Sequence, residues 1–322
     1  MSAVNADASA NDSALENLPF SDLYIRVDQK APSRYRIGPN PEGRTGNVEV
    51  PPEHEFEIDI LRTQIDRSTN GEGTLNHDSM RLRFSVAYIA GGERWASIRR
   101  IPLDIPRLET LRLANEAIST IQSWGRRRGI VLVGGATGAG KTTTVAAILQ
   151  YYLESLGGTA VSIEDPPEYL LQGAIGENGA CYQMELQGDD WASAVKTALR
   201  WRPRFIFLGE IRTPEAARQA LRASTSGHLV LTTIHGGSID ETVGAMISLN
   251  AIGQGDEARN LLADNIVGVI HQRLGKYGPA QEILSVVGQD AGGMRQLIRN
   301  NQLSQLARYA VEYVQPTGQN RR

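Results

Sequence analysis

Residues 134–144, "GGATGAGKTTT", set four glycines beside a lysine and three consecutive threonines, directly after the apolar run 130–133. Gly135, Ala136, Thr137, Gly138, Ala139, Gly140, Lys141 and Thr142 fit G-x-x-x-x-G-K-[ST] at every position, and Thr143 continues into the next element. A polyphosphate needs inward-pointing backbone N–H groups, and glycines let a chain curl closely enough to supply them. A helix starting near Lys141 adds the positive end of its dipole. In such a loop Lys141 reaches the β- and γ-phosphates and the Thr142 hydroxyl ligates Mg²⁺. An apolar strand before the loop and a helix after it are the context the motif requires, and both are legible here. The spacing therefore points to a nucleoside-triphosphate site with ATP and Mg²⁺ as its ligands, over a chance Gly-rich turn.

Two acidic segments and one histidine segment could complete that chemistry. "RFIFLGEIR" reads as an apolar strand ending in Glu210, where an acid can orient water or metal. The residue before it is Gly209, not the usual aspartate, which shifts that work onto Glu210 and other acids. "SIEDPPEY" ends a second strand in Glu164 and Asp165, with Pro166 and Pro167 fixing a turn before Glu168. Ligands collect at the carboxyl ends of strands in an open parallel sheet, which places Glu164 near the γ-phosphate and makes Thr142, Glu164 and Glu210 the metal candidates. A solvated acidic turn is the alternative. In "GHLVLTTIHGGS" His228 and His235 frame a core strand, for phosphate sensing or for local organisation. Neither needs to bind metal, since Mg²⁺ prefers oxygen.

These segments need a scaffold, and the pattern supplies an α/β one. From residue 125 onward strands and helices alternate: "GIVLVGG", "KTTTVAAILQYYLESL", "TAVSIED", "WASAVKTALRW", "RFIFLGEI", "PEAARQALRAS" and "HLVLTTIH". Alternation at these lengths indicates a parallel sheet with right-handed crossovers. Before it, "RLETLRLANEAISTIQSW" has helical spacing, with Gly125 as its C-cap, and reads as a linker helix over 107–124. Residues 18–106 read as a smaller α+β domain. Strands are expected at "MRLRFSVAYIA" and "RWASIRRI", a helix at "EHEFEIDILRTQIDRS" and a loop over 38–52. Residues 1–17 are Ala/Ser/Asn/Asp-rich and expected to be disordered, and the tail "VQPTGQNRR" to be loose.

Composition narrows the class. With 33 basic and 36 acidic residues the net charge is −3, which gives little support to a nucleic-acid binder. The single cysteine, Cys181, excludes an internal disulfide and is expected to be a small buried hydrophobe. No apolar run approaches the roughly 18 residues that cross a bilayer, and the polar N-terminus lacks a signal peptide's basic region, so a cytoplasmic protein is expected.

Taken in order, "GATGAGKT", "IEDPPEY", "FLGEIR" and "TSGHLVLTTIH" resemble the four signatures of the PilT/GspE superfamily, the secretion and pilus ATPases of type II and type IV systems. "HQRL" resembles a further family motif, and "MRQLIRNNQ" a segment of pilus-retraction members. A glycine before the strand-end glutamate is the family's habit. The resemblance implies an N-terminal PAS-like domain joined to a RecA-like P-loop ATPase domain, six subunits in a ring, and ATP between the two domains near a neighbouring subunit. It also implies arginines from the N-terminal domain acting on the phosphates, which map to Arg83 and Arg99, with Arg94 as a further candidate. The implied partners are an inner-membrane platform or other secretion-machine components, with the ring in the cytoplasm at the inner membrane. Three departures bear on the branch. Arg202, Arg204 and Thr213 flank the Glu210 strand where acids are common, the histidine box ends "IHGGS", and one cysteine rules out the tetracysteine zinc module of the GspE branch. The compact PilT- or DotB-like branch fits best. Competing readings are a nucleic-acid-stimulated motor with Lys196, Arg200, Arg202, Arg204 and Arg212 as its footprint, and a small-molecule P-loop kinase, for which no acceptor or lid segment is visible.

Overall fold

The protein is described from a computed structural model covering residues 15–37, 46–68, 71–186, 188–250, 256–275 and 278–313. The chain divides into two compact units, Met1–Leu103 and Asp104–Arg322.

The first unit contains β1 (Asp22–Arg26), β2 (Arg34–Ile37), β3 (Gly46–Glu49), helix α1 (Glu55–Asp66), β4 (Glu72–His77), β5 (Met80–Tyr88) and β6 (Arg94–Ile101). The strands form one sheet in the order β3-β2-β1-β6-β5-β4, and every pairing is antiparallel. Alternation decides which face is covered. Leu82 and Phe84 of β5 and Ala96 and Ile98 of β6 join Ile58, Leu61 and Ile65 of α1 in one core. Arg83 and Arg99, set between those apolar positions, therefore lie on the other face.

Two expectations change here. Residues 15–17 are not disordered: Leu15–Asn17 form a 3-10 turn with Leu15 fully buried. The Arg100 guanidinium fastens it, donating to the carbonyls of Leu15 (2.9 Å), Glu16 (2.8 Å) and Leu18 (2.9 Å). The loop expected over 38–52 ends in a strand, because 46–49 pair along β2. Residues 1–14 and 314–322 lie outside the described residues, and so do the expectations of disorder and looseness placed on them.

The second unit contains α2 (Asn115–Trp124), β7 (Gly129–Gly134), α3 (Lys141–Leu156), β8 (Gly158–Glu164), β9 (Gly173–Ile175), β10 (Gly179–Glu185), α4 (Trp191–Arg200), β11 (Phe205–Ile211), α5 (Pro214–Thr225), β12 (Leu229–Ile234), α6 (Ile239–Asn250), α7 (Asp256–Asn265), β13 (Ile266–Gly275), β14 (Gly278–Ser285), α8 (Ala291–Arg299) and β15 (Val311–Tyr313). The sheet order is β15-β14-β13-β7-β12-β11-β8-β10-β9. From β13 to β10 all neighbours run parallel. Every residue of β7 and β12 is buried, as continuous apolar strands with helices on both faces must be. Ile130 and Leu132 face one core, and Val131 and Val133 the other. Cys181 is buried in β10, and burial pushes its thiol up to about 12, so it behaves as the inert hydrophobe expected.

The helical spacing read over 107–124 resolves into two pieces. Leu108–Thr110 form a 3-10 turn, Arg112 has φ +57, and regular helix begins only at Asn115. Leu108, Ile118, Ile121 and Trp124 nevertheless reach the same core beneath β7, and the Tyr152 hydroxyl donates to the Ile121 carbonyl (2.5 Å). Gly125 is not a left-handed cap: its φ is −59, and a β-carbon there would lie 2.7 Å from the Tyr152 ring. Glycine is required at 125 by helix packing.

Candidate functional site

Strand β7 runs into the loop at 135–140, and α3 starts at Lys141. Gly140 turns the chain in a left-handed conformation (φ +80, ψ 23), which side chains rarely tolerate. Lys141 is 7% exposed, and its Nζ donates to the carbonyls of Gly135 (3.0 Å) and Ala136 (3.1 Å). Desolvation lowers its pKa, while the charges of Glu210 and Glu168 act in the opposite sense. The ammonium thus lies among the acids of this edge, folded back onto the loop it belongs to.

Behind the loop stands a residue with no role legible from its type alone. Gln272 of β13 is 2% exposed, and its Nε2 donates to the Ala139 carbonyl (2.5 Å). Its Oε1 accepts from the Thr144 hydroxyl (2.7 Å) and from Gln281 Nε2 (2.6 Å). One buried amide therefore ties the phosphate loop, the first turn of α3 and the β13–β14 hairpin together. The only sequence signal was its place in "HQRL".

The acids follow from β8 and β11. Glu164, the last residue of β8, is 2% exposed, and burial pushes its carboxyl up to about 7. A hydrogen bond from Gln183 Nε2 (2.8 Å) opposes that rise, and the same amide holds the Tyr169 carbonyl (2.8 Å). Gly209 is explained by this acid. A β-carbon at 209 would lie 3.2 Å from Glu164 Cγ, so any larger residue would press on this acid. The pairing of β11 with β12 shifts register between Leu208 and Glu210, and the Thr233 hydroxyl donates to the Gly209 carbonyl (2.7 Å). That bulge re-aims Glu210. One Glu210 oxygen lies 3.1 Å from His235 Nε2, and the other pairs with Arg212.

Lys141, Glu164, Glu210 and His235 thus gather at the carboxyl ends of β7, β8, β11 and β12. His228 does not join them. It precedes β12 at the opposite edge, with Nδ1 2.6 Å from the Pro203 carbonyl. A six-residue strand separates it from the loop by roughly 20 Å. Two histidines framing one strand must lie at its two ends, so His228 organises a turn and leaves the phosphate-facing set. Thr143 shares a hydrogen bond with the Tyr169 hydroxyl (2.8 Å), linking α3 to the acidic turn after β8.

Oxygen donors suited to Mg²⁺ are present. The Thr142 hydroxyl has no hydrogen-bond partner among the described residues, and the carboxylates of Glu164 and Glu210 lie at the same edge. Glu210 would have to loosen its ion pair with Arg212 to contribute.

In the first unit, Arg83 and Arg99 are direct cross-strand neighbours on β5 and β6. Arg99 is held by buried Asp22 (2.8 Å), which also lies 3.8 Å from Arg36. Arg94 pairs with Asp66 (2.5 Å). Arg83 makes no ion pair among the described residues, so of the three it alone has an uncommitted guanidinium there.

With this geometry in place, comparison with known proteins is decisive. Residues 59–303 match the family model "Type II/IV secretion system protein". The chain belongs to that family. It is 34% identical over 255 residues to the uncharacterized protein YggR of Escherichia coli K12, covering 76% of this chain and 74% of that one. It is 34% identical over 233 residues to a twitching motility protein of Neisseria gonorrhoeae, covering 70% of this chain but 60% of the relative. The type IV pilus retraction ATPase PilT of Pseudomonas aeruginosa is 32% identical over 222 residues, 66% of this chain and 60% of PilT. A crystal structure of the pilus retraction motor PilT with bound ADP superposes with a TM-score of 0.72 at 27% identity, over 92% of this chain and 87% of that one. The ATPase DotB of Legionella pneumophila gives 0.75 at 21% identity, over 94% and 87%, a likeness of fold. The second unit has the RecA-like P-loop ATPase fold, preceded by the family's smaller N-terminal domain. No described helix is long and apolar enough to cross a membrane.

Proposed function

We propose that this chain is a Mg²⁺-dependent ATP hydrolase that works as a homo-oligomeric ring, six subunits by family resemblance. The ring would power a type IV secretion or conjugation machine, or type IV pilus dynamics. The observation that carries this reading is the gathering of Lys141, Glu164, Glu210 and His235 at one strand edge above a glycine loop. Loop amides and Lys141 hold the phosphates. Thr142, with Glu164 and Glu210, would hold Mg²⁺, which supplies charge neutralisation on the phosphates when bound. Glu210 orients the attacking water, and His235 fixes the carboxylate from behind. By the family resemblance, Arg83 and Arg99 would act on the phosphates in the assembled ring and offset charge developing in the transition state.

The ring would act on the cytoplasmic side of the inner membrane, held there by platform or secretion-machine proteins. The nucleic-acid reading loses two of its five footprint residues to other work. Arg204 donates to the Leu156 carbonyl (2.8 Å), and Arg212 pairs with Glu210.

Turnover per subunit should be measured across protein concentrations, with DNA and with membranes bearing the cognate machine as additives. A motor ring should show turnover rising with assembly and stimulation by the membranes. Constant turnover at all concentrations would mean a monomeric hydrolase, and stimulation by DNA alone would restore the rival.

A further inference from the structure

At the amino edge of the second unit's sheet, across β7 from the phosphate loop, lies a depression of about 480 Å³. Arg126, Arg127 and Arg128, in the turn between α2 and β7, line one side, and Arg295 of α8 lines another. Among the described residues no carboxylate lines it, although the chain carries a net charge of −3. Among the described residues none of these four side chains makes a hydrogen bond or an ion pair. The contrast on α8 is direct: Arg299 pairs with Asp264, whereas Arg295, one turn earlier, is unpaired and its Nε is buried without a partner. A buried donor such as Arg295 Nε is costly without an acceptor, while Arg126, Arg127 and Arg128 are exposed and water screens part of their mutual repulsion.

Both costs are relieved by an anion. The approach to α8 also lines the hollow through Gly288, two residues before the N-cap Asp290, and through Ala291, whose amide donates to the Gly288 carbonyl (3.4 Å). Forked guanidinium donors suit a tetrahedral oxyanion. Val267, Val286 and Val287 complete the lining of this open hollow.

We propose that this hollow is a binding site for a phosphate group, separate from the nucleotide loop. Its ligand is a compact phosphate mono- or diester, supplied either by a soluble phosphorylated molecule or by an anionic phospholipid headgroup. The site lies roughly 20 Å from Lys141, the length of β7, so occupying it leaves the nucleotide loop open.

The test uses the full chain. Pyrophosphate binding is measured by calorimetry in Lys141→Ala, which removes the loop lysine as a competitor. Sedimentation with phosphatidylglycerol vesicles is compared with phosphatidylcholine vesicles. Replacing Arg127 and Arg295 together by alanine should weaken whichever probe binds by about tenfold or more. Arg126→Ala, on an exposed turn, provides a second variant whose folding is not at risk. With Lys141 intact, the arginine variants should hydrolyse ATP at the parent rate, which separates failure of this site from failure of the ATPase reading. Pyrophosphate binding without vesicle binding supports a soluble ligand, and phosphatidylglycerol-selective sedimentation blocked by pyrophosphate supports a lipid headgroup. Both should fade as salt shortens the screening length to a few ångströms. The proposal is overturned if neither probe binds, if the arginine variants bind equally well, or if a polyglutamate peptide binds where both phosphate probes fail.

Discussion

In the nine-stranded sheet both faces are covered, and the acids Glu164 and Glu210 with His235 sit at or just past strand ends. In the six-stranded sheet one face is open, and the candidate arginines sit along the strands. The difference matters for how charge is held. At a strand end the backbone can bulge or turn to aim a side chain, as Gly209 does for Glu210, and side-chain amides such as half-buried Gln183 and buried Gln272 tie the neighbouring segments. Along an open face a side chain has only its cross-strand neighbours. Arg83 and Arg99 are opposed like charges, a destabilising pairing unless a third group intervenes, and Asp22 on β1 intervenes for Arg99 only. The covered sheet holds its charges in fixed partners, whereas along the other sheet Arg99 and Arg94 have acidic partners and Arg83 has none among the described residues.

The sharpest way to break this comparison is Lys141→Ala. If the strand-end cluster is the catalytic centre, turnover should fall by about 10³-fold or more, because no other lysine lies in the loop. Near-parent turnover in purified protein would remove the cluster from catalysis. Glu210→Gln comes next. The amide keeps the shape but cannot assist water, so turnover should fall about 10²- to 10³-fold while ATP binding persists in a filter or fluorescence assay. Equal loss of binding and turnover would show that Glu210 holds the nucleotide instead.

The open face is tested by setting its arginines against one another. Arg83→Ala should lower turnover of assembled protein by about 10²-fold with little change in Tm, since an uncommitted cation is the one free to meet phosphates. Arg99→Ala should lower turnover and also cost about 1 kcal/mol of stability, because buried Asp22 loses its nearest donor. Arg94→Ala, paired with Asp66, should change turnover least. If all three behave alike, the open face is a solvated surface. A comparison with the isolated second unit should start at residue 104, because a cut at 125 would strip Ile118, Ile121 and Trp124 from its core.

How much of this was legible in the sequence divides along the same line. The loop, Glu210, Glu164 and His235 could be read because each closes an apolar run, and a run has a direction that says which edge its end reaches. Of the two roles open to His228, the structure favours local organisation for the same reason, since a strand's other end reaches the other edge. The alternation of "MRLRFSV" gave a face for Arg83 but no partner for it. Gln272 was invisible as chemistry because a glutamine inside an apolar strand carries no charge and no motif logic. Its meaning comes from Ala139, Thr144 and Gln281, which only the fold brings to it. Leu15 was read as part of a polar tail because one buried leucine cannot outweigh its neighbours in composition, though Arg100 and the core claim it.

Glu164 offers the smallest and most specific test. Its carboxyl lies near 7 in the folded chain, against about 4.5 in the unfolded one, because burial disfavours the anion. A raised pKa means the folded state holds its proton more tightly. The associated stability is fully present below about pH 4.5 and is lost as pH rises through 7. Between pH 5 and 8 that loss amounts to about 2 kcal/mol. Glu164→Gln removes the titration while retaining an oxygen for Gln183 to bond. The difference in unfolding free energy between parent and variant should therefore tilt across this window, with the variant gaining relative to the parent as pH rises. Mg²⁺ and ATP should flatten the tilt in the parent, because a nearby cation favours the carboxylate. A tilt that Mg²⁺ and ATP leave unchanged would make Glu164 a buried structural acid and leave metal and water to Thr142 and Glu210. No tilt at all would mean that the carboxyl titrates as it does in water, and the packing of Glu164 against Gly209 would then not desolvate it.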